Sequence, residues 1–411
     1  MADADEHGQR LAPPFFAVVF LPCGIRVGFI AVTLSYILAR HGVSVAAIAG
    51  ISALGLLPST WQFFFGPVVD MSLTPKRWYL AMVGVLSLCV AAFAFVPLTA
   101  ASVPLLDVLG FTAGLAATLV WCAGQAVMAN TTPIEQRGAA AGWTQASHMG
   151  GASLGGGLGL WLASHAGGPR VAIVALALIC LACAVPVLLT HVAHAPSADR
   201  LAHRMRGVGA EIWAFARTRK GVLTIIVLLI PADMGAALAL LPAVARNWGA
   251  GADLVALTGG ALAGFAVMPG CILGGYLCTR FAPRSVYLVG SLIFGLGEAA
   301  MAFAPHTPLS FGLFVLLNSF LAGAANGPYS AVIFDCLGPR AAASLGSILS
   351  SLGQAPLLVV TLVVGAVETA HGADAMLYAE AGLAVVSVAG FVVLATLWRP
   401  GPVTALVAAP V

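Results

Sequence analysis

Apolar runs long enough to cross a bilayer recur along the whole chain, separated by short polar turns. A helix needs about 20 apolar residues to cover a hydrocarbon core of roughly 30 Å. Twelve stretches suit that length: residues 13–39, 44–69, 78–98, 103–129, 138–163, 171–191, 221–245, 254–278, 286–304, 309–333, 341–367 and 375–397. In lipid a helix satisfies all of its backbone polar groups internally, and that is the form such runs take. The chain is therefore expected to be an all-α membrane protein with 12 transmembrane helices. Only 8% of its 411 residues are charged and the mean hydropathy is +1.01, which excludes a soluble domain.

The basic residues set an orientation. Fourteen of the 18 Lys and Arg residues fall in turns on the side of the N-terminus, among them Arg10, Lys76, Arg77, Arg137, Lys220, Arg280 and Arg284. Only Arg40, Arg170 and Arg246 lie on the other side, and Arg26 lies within the first run. The positive-inside rule then places both termini in the cytoplasm and the chain in the cytoplasmic (inner) membrane. The net charge of +3 is thus a topology signal and gives no support to a nucleic-acid partner. No cleavage site follows the first run, so a cleaved signal peptide is not expected. The eight cysteines, including Cys180 and Cys183, lie within or at the ends of the runs and read as small apolar filler. Their spacing suggests neither disulfides nor a metal site, and no cofactor is expected.

The longest polar stretch, residues 193–220, divides the chain into 1–191, a linker 192–220 and 221–411. Within the linker Leu201, Met205, Val208, Ile212 and Phe215 recur at helical spacing, and Ser197 can cap the helix they imply. An amphipathic helix on the cytoplasmic interface fits this pattern, with a plain linker as the alternative. The two halves look like copies. Leu21-Pro22 matches Ile230-Pro231, and Arg137-Gly138-Ala139-Ala140 matches Arg340-Ala341-Ala342-Ala343. Six runs per half give both copies one orientation. Two parallel six-helix bundles with a solute site between them near the midplane describe the major facilitator fold.

A turn motif agrees. Gly66-Pro67-Val68-Val69-Asp70 followed by Lys76-Arg77 resembles the major facilitator loop signature of a glycine, an acid four residues on and a basic pair. Gly66 would permit close helix contact. Asp70 would cap or pair with a neighbouring helix end when the cytoplasmic side is closed, making Gly66, Asp70, Lys76 and Arg77 gating residues. The second half keeps Gly274-Gly275, Arg280 and Arg284 but has lost the acid.

Within that superfamily the chain resembles the muropeptide permease and acetyl-CoA transporter family. The stretches that carry the likeness are Leu21-Pro22, Gly55-Leu56-Leu57-Pro58 through Phe65 to Asp70, and Glu135-Gln136-Arg137-Gly138 running on to Gly159-Leu160-Trp161. The resemblance covers roughly the first half and implies proton-driven movement of a solute, often a bulky amphiphilic anion. Those permeases tend to carry a lysine after the proline of the second run; here the region reads Ser59-Thr60-Trp61-Gln62. A neutral Gln62 implies a cargo with fewer charges than a muropeptide.

Arg26 leads the candidate site. Holding a guanidinium at the bilayer centre costs about 3 kcal/mol, and its planar fork can grip a carboxylate or phosphate. Asp233, in the seventh run, lies within about 3 Å of Arg26 in depth by helix rise once the prolines are aligned. An exchangeable pair that couples protons to solute and a static pair both fit. Glu298 and His148 are further proton-coupling candidates, each with a packing role as the alternative. Asp107, Asp335 and Glu380 read as interface charges, and Trp78, Trp161, Trp248 and Trp398 as interfacial anchors. Tyr36, Gln62, Trp121, Gln125, Asn318, Asn326 and Tyr329 fall on the runs that line facilitator cavities and are candidate solute contacts. Gly151, Gly155 and Gly159 repeat every four residues, the spacing of close helix packing.

These features point to a non-enzymatic, monomeric secondary transporter. Its expected partners are protons, the bilayer and a small organic solute with an anionic or amphiphilic character, with symport as the mode. An exporter of amphiphiles is the alternative in transport. A pigment or lipid assembly factor on the same fold is the alternative outside it, and a closed apolar centre with an exposed groove on one side would favour that reading.

Overall fold

Several helix starts are written in the sequence. Thr74 and Thr307 each precede a proline, and each hydroxyl accepts the backbone N–H three residues on, at Arg77 and Ser310. Proline suits the first turn because its missing N–H has no helical partner there. Ser44 and Thr218 cap Ala47 and Gly221 in the same way.

The computed structural model describes residues 10–190, 209–210, 212–230, 235–338 and 341–397, and these contain helices and no strands. In chain order the helices are α1 (Phe15–Arg40), α2 (Val45–Thr60), α3 (Gln62–Met71), α4 (Pro75–Ala92), α5 (Val103–Thr131), α6 (Arg137–Ser153), α7 (Gly159–His165), α8 (Pro169–Leu189), α9 (Arg219–Leu229), α10 (Ala236–Val244), α11 (Asp253–Leu277), α12 (Pro283–Phe303), α13 (Pro308–Phe334), α14 (Ala342–His371) and α15 (Ala373–Leu397). Eight are long and apolar enough to span a bilayer; a ninth span arises if α2 and α3, bent by 52°, count as one. At that bend the Trp61 N–H reaches back only three residues, to Pro58. The expected spans 78–98, 138–163 and 221–245 coincide with α4, with α6 and α7, and with α9 and α10. Helix α6 is rich in Gly, Ala and Ser because protein covers it, with Gly138 to Gly142 all buried. Of the expected linker helix, residues 212–217 are helical; 197–208 lie outside the described residues.

Three π turns interrupt the helices, at Phe29–Leu34 in α1, at Leu154–Leu158 between α6 and α7, and at Ala256–Leu262 in α11. A π turn leaves carbonyls short of a helical donor. Two of these turns answer each other: the Thr33 hydroxyl donates to the Gly155 and Gly156 carbonyls at 2.8 and 2.9 Å. Helix α1 packs closely on α6, and any Cβ at Gly155 would collide with the Ile25 carbonyl. Two seams join the helices before the linker to those after it. One is α6 against α11 and α13; the other is α3 and α5 against α14.

Trp248 is not an interfacial anchor. It is fully buried and stacked on His306 with ring centroids 4.8 Å apart, because α10 ends in a tight turn that folds it inward. Trp61 is half exposed at the α2–α3 bend. All eight cysteines are free thiols.

Candidate functional site

Arg26 lies three residues before the π turn of α1 and is 6% exposed. Its Nη1 donates to the Gly55 carbonyl on α2 at 2.7 Å, and its Nε is buried without a partner. No carboxylate among the described residues stands within 4.0 Å of it. A guanidinium carries five N–H donors, and one carbonyl bond leaves donors for an oxyanion. The expected partner Asp233 lies outside the described residues.

Around this charge α1, α5 and α6 bring aromatic groups together. Trp121 meets Phe20 edge-on at 4.8 Å and His148 at 5.2 Å. The His148 Nδ1 is buried with no hydrogen-bond partner. Gln62 is buried at the start of α3, just after the bend. Gln125, fully buried on α5, donates to the Ser350 hydroxyl of α14 at 3.3 Å, and its Oε1 has no partner. This bond crosses between the helices before and after the linker. Tyr329 packs against Gly353 of α14, with its hydroxyl buried and without a hydrogen-bond partner.

Other candidates lie apart. Tyr36 is exposed near the end of α1, beneath the Arg40 guanidinium. Asn326 donates to its own helix at Ala322. Asn318 faces α12, with its Nδ2 4.0 Å from the Met301 sulfur and its Oδ1 over Gly297. Glu298 is 1% exposed on α12.

The loop motif forms a helix cap at the arginine-rich face. Both carboxylate oxygens of Asp70 face the first turn of α14. They accept from Ala343 N at 3.2 Å and from Ser344 N and its hydroxyl, each at 2.7 Å. A carboxylate there satisfies orphan amides and meets the positive end of the helix dipole. Gly66 lies one turn earlier, where a Cβ would strike the Ala343 carbonyl and Ser347. Arg137 gathers four carbonyls: Ala129 and Thr132 in its own half at 3.0 and 3.4 Å, Phe334 and Leu337 across the seam at 3.1 and 2.7 Å. On the α6–α11 seam Gly142 meets Gly275 backbone to backbone. Lys76 ties α4 to the end of α8 through the Leu188 carbonyl at 2.8 Å, while Arg77 is exposed.

Sequence reasoning missed Glu380. It is 4% exposed, not an interface charge, and its two oxygens accept from Ala236 N at 2.9 Å and from Ala237 N. Helix α10 starts anew at Ala236, within the expected seventh span, and the carboxylate answers its free amides. The signal available beforehand was an acid at the sixth residue of the last apolar run.

A lateral apolar groove of about 620 Å3 runs between α1, α6, α7 and α11. Leu21, Gly150, Leu154 and Met268 form its walls, Trp143 and Trp161 stand along α6 and α7, and Ser147 and Ser153 are its few polar groups.

Solved structures share the architecture. The proton:xylose symporter XylE, bound to 6-bromo-6-deoxy-D-glucose, matches at 13% identity with TM-score 0.70, over 91% of this chain and 94% of its own. The fucose:proton symporter FucP in the outward conformation matches at 17% and 0.67, over 92% and 98%. The human organic anion transporter TETRAN matches at 16% and 0.67, over 93% and 100%. These identities establish the fold alone. No curated protein sequence matches the chain. The model of the Major Facilitator Superfamily matches residues 15–361, most of the chain, and it shows that this protein is a multi-pass membrane transporter of the Major Facilitator Superfamily.

Proposed function

We propose that the chain is a twelve-span, proton-driven transporter of a small organic solute bearing an anionic group, bound between two six-helix halves, 1–191 and 221–411. The observation that carries this reading is Arg26, a buried guanidinium with one carbonyl partner and no described carboxylate beside it. A charge kept at that depth costs about 3 kcal/mol and is retained where a ligand uses it. Trp121 and His148 pack together on the neighbouring helices, and Gln125, Gln62 and Tyr329 are buried side chains that complete the proposed contact set. Tyr36, Asn318 and Asn326 serve more distantly, and the coupling acid comes from Asp233 or Glu298.

The arginine-rich face is the cytoplasmic one. The Asp70 and Arg137 bonds hold it shut, the arrangement expected of an outward-directed state, and one structural neighbour is described in that conformation. Gly66 sets the helix contact, and Lys76 and Arg77 frame the turn that must move. The shared fold hosts proton symporters and an organic anion transporter, so proton coupling and an anionic cargo are both compatible with it.

A second reading rests on the lateral groove. Its apolar lining suits the tail of an amphiphile, which favours export of amphiphiles or a lipid-handling role without turnover. Flux separates the readings. Proteoliposomes should accumulate an anionic solute when the outside is acidified, and Arg26→Ala should abolish uptake. Binding of amphiphiles with no gradient-driven flux of any anion would contradict the first reading and support the second.

A further inference from the structure

We propose that Glu380 is a proton-operated latch on α10: ionised, its carboxylate fixes the start of that helix, and protonated it releases it. The proposal rests on the proton-coupled reading above, to which it adds a named proton acceptor.

The sequence of events begins with a broken helix. Helix α9 ends at Leu229, and α10 begins at Ala236 after Gly235, whose φ of +60° only glycine adopts without strain. A helix that starts at membrane depth exposes N–H groups which neither the helix nor lipid can satisfy. Glu380 of α15 supplies the acceptors, one oxygen to Ala236 and the other to Ala237. Two amides aimed at two separate oxygens suit a carboxylate. A protonated acid turns one oxygen into a donor, which would then face an N–H donor. Binding a proton at Glu380 and keeping this helix start in place are therefore opposed.

The opposite side of α10 gives the latch a consequence. Gly235, Leu238 and Leu241 wall a cavity of about 340 Å3, closed across from them by Phe311 and Ser319 of α13. Its lining residues Pro242 and Val255 also line an outer cavity of about 620 Å3 that carries exposed Arg246, on the face poor in basic residues. A shift at the start of α10 changes this space and its link to that face.

The helices packed against α15 carry few other titratable groups. Helix α12 contributes Glu298, and α14 contributes Glu368 and His371 near its end. Helix α15 itself carries Tyr378 and Asp374, the latter 3.1 Å from His306. Helix α9 has Arg219 and Lys220 at its far end, α10 has none, and Asp233 lies outside the described residues.

Hydrogen exchange of the full-length protein in lipid nanodiscs tests the latch, with protection corrected for intrinsic rates at about pH 5.5 and about pH 8. Peptides covering residues 235–244 should lose protection about fivefold or more at the lower pH, and Glu380→Gln should remove that pH response. Glu380→Asp keeps the charge but withdraws it from the amides, so it should lower protection at both pH values. This second variant keeps the test decisive if the first does not fold. Equal wild-type protection at both pH values, or an unchanged pH response in Glu380→Gln, would overturn the proposal. Exchange needs no solute, so a failed latch leaves the flux test of transport standing, and failed flux leaves the latch standing.

Discussion

At the scale of single residues, the chain carries charges where lipid forbids them and gives each a partner or a task. Arg26 has one carbonyl bond and spare donors, which in the proposed reading hold the solute. A hydrogen bond to a charged group contributes about 1.5–3 kcal/mol, or roughly 10- to 100-fold in affinity. Arg26→Ala is expected to weaken an anionic ligand by that factor, read by titration calorimetry. Arg26→Lys should recover only part of it, because an ammonium cannot form the two parallel bonds of a guanidinium. Asp70 is the complementary case, an acid whose partners are backbone amides. Asp70→Asn keeps the shape and removes the charge at the helix start, a loss of about 1 kcal/mol. The arginine-rich face should then open about fivefold more often. Site-resolved thiol labelling reports this at Cys278, which packs against Gly138 on the α6–α11 seam. An unchanged labelling rate would argue against a gating role for Asp70.

At the scale of elements, close approach governs. Helix α1 meets the π turn after α6 where Gly155 faces the Ile25 carbonyl, so Gly155→Leu should cost about 1–3 kcal/mol or misfold the pair, seen as a lower Tm. Thr33→Val removes the hydroxyl that serves two carbonyls of the facing π turn and should cost about 1 kcal/mol. The glycine spacing that brings α1 and α6 together was legible in the sequence because four-residue periodicity maps directly onto one helix face. The Asp70 cap was legible because a short local motif encodes it. The π turns were not, since they depend on how two helices meet and leave no periodic trace. Glu380 and Trp248 were misread for a related reason: both lie near the ends of apolar runs, where sequence suggests water. The break between α9 and α10 and the turn after α10 bury them instead. Arg26 was legible as a charge out of place, whereas its bond to Gly55 depended on the placement of α2.

At the scale of the whole molecule, the helices before and after the linker meet along two seams that reach the arginine-rich side. Asp70, Arg137 and the glycine seam close that side, while Gln125 and Ser350 meet deeper in. In the proposed reading, alternating access requires these bonds to break together and the halves to rock about the Arg26 region. The most direct measurement is thermal stabilisation of the purified full-length protein by a panel of carboxylates, organic phosphates, muropeptides and lipophilic cations, in wild type and in Arg26→Ala. A ligand that binds only the folded protein at about 100 times its Kd adds roughly 2.7 kcal/mol. An anion that raises the Tm of the wild type and leaves Arg26→Ala unmoved is the expected result. Stabilisation by cations alone, equal in both proteins, would contradict it.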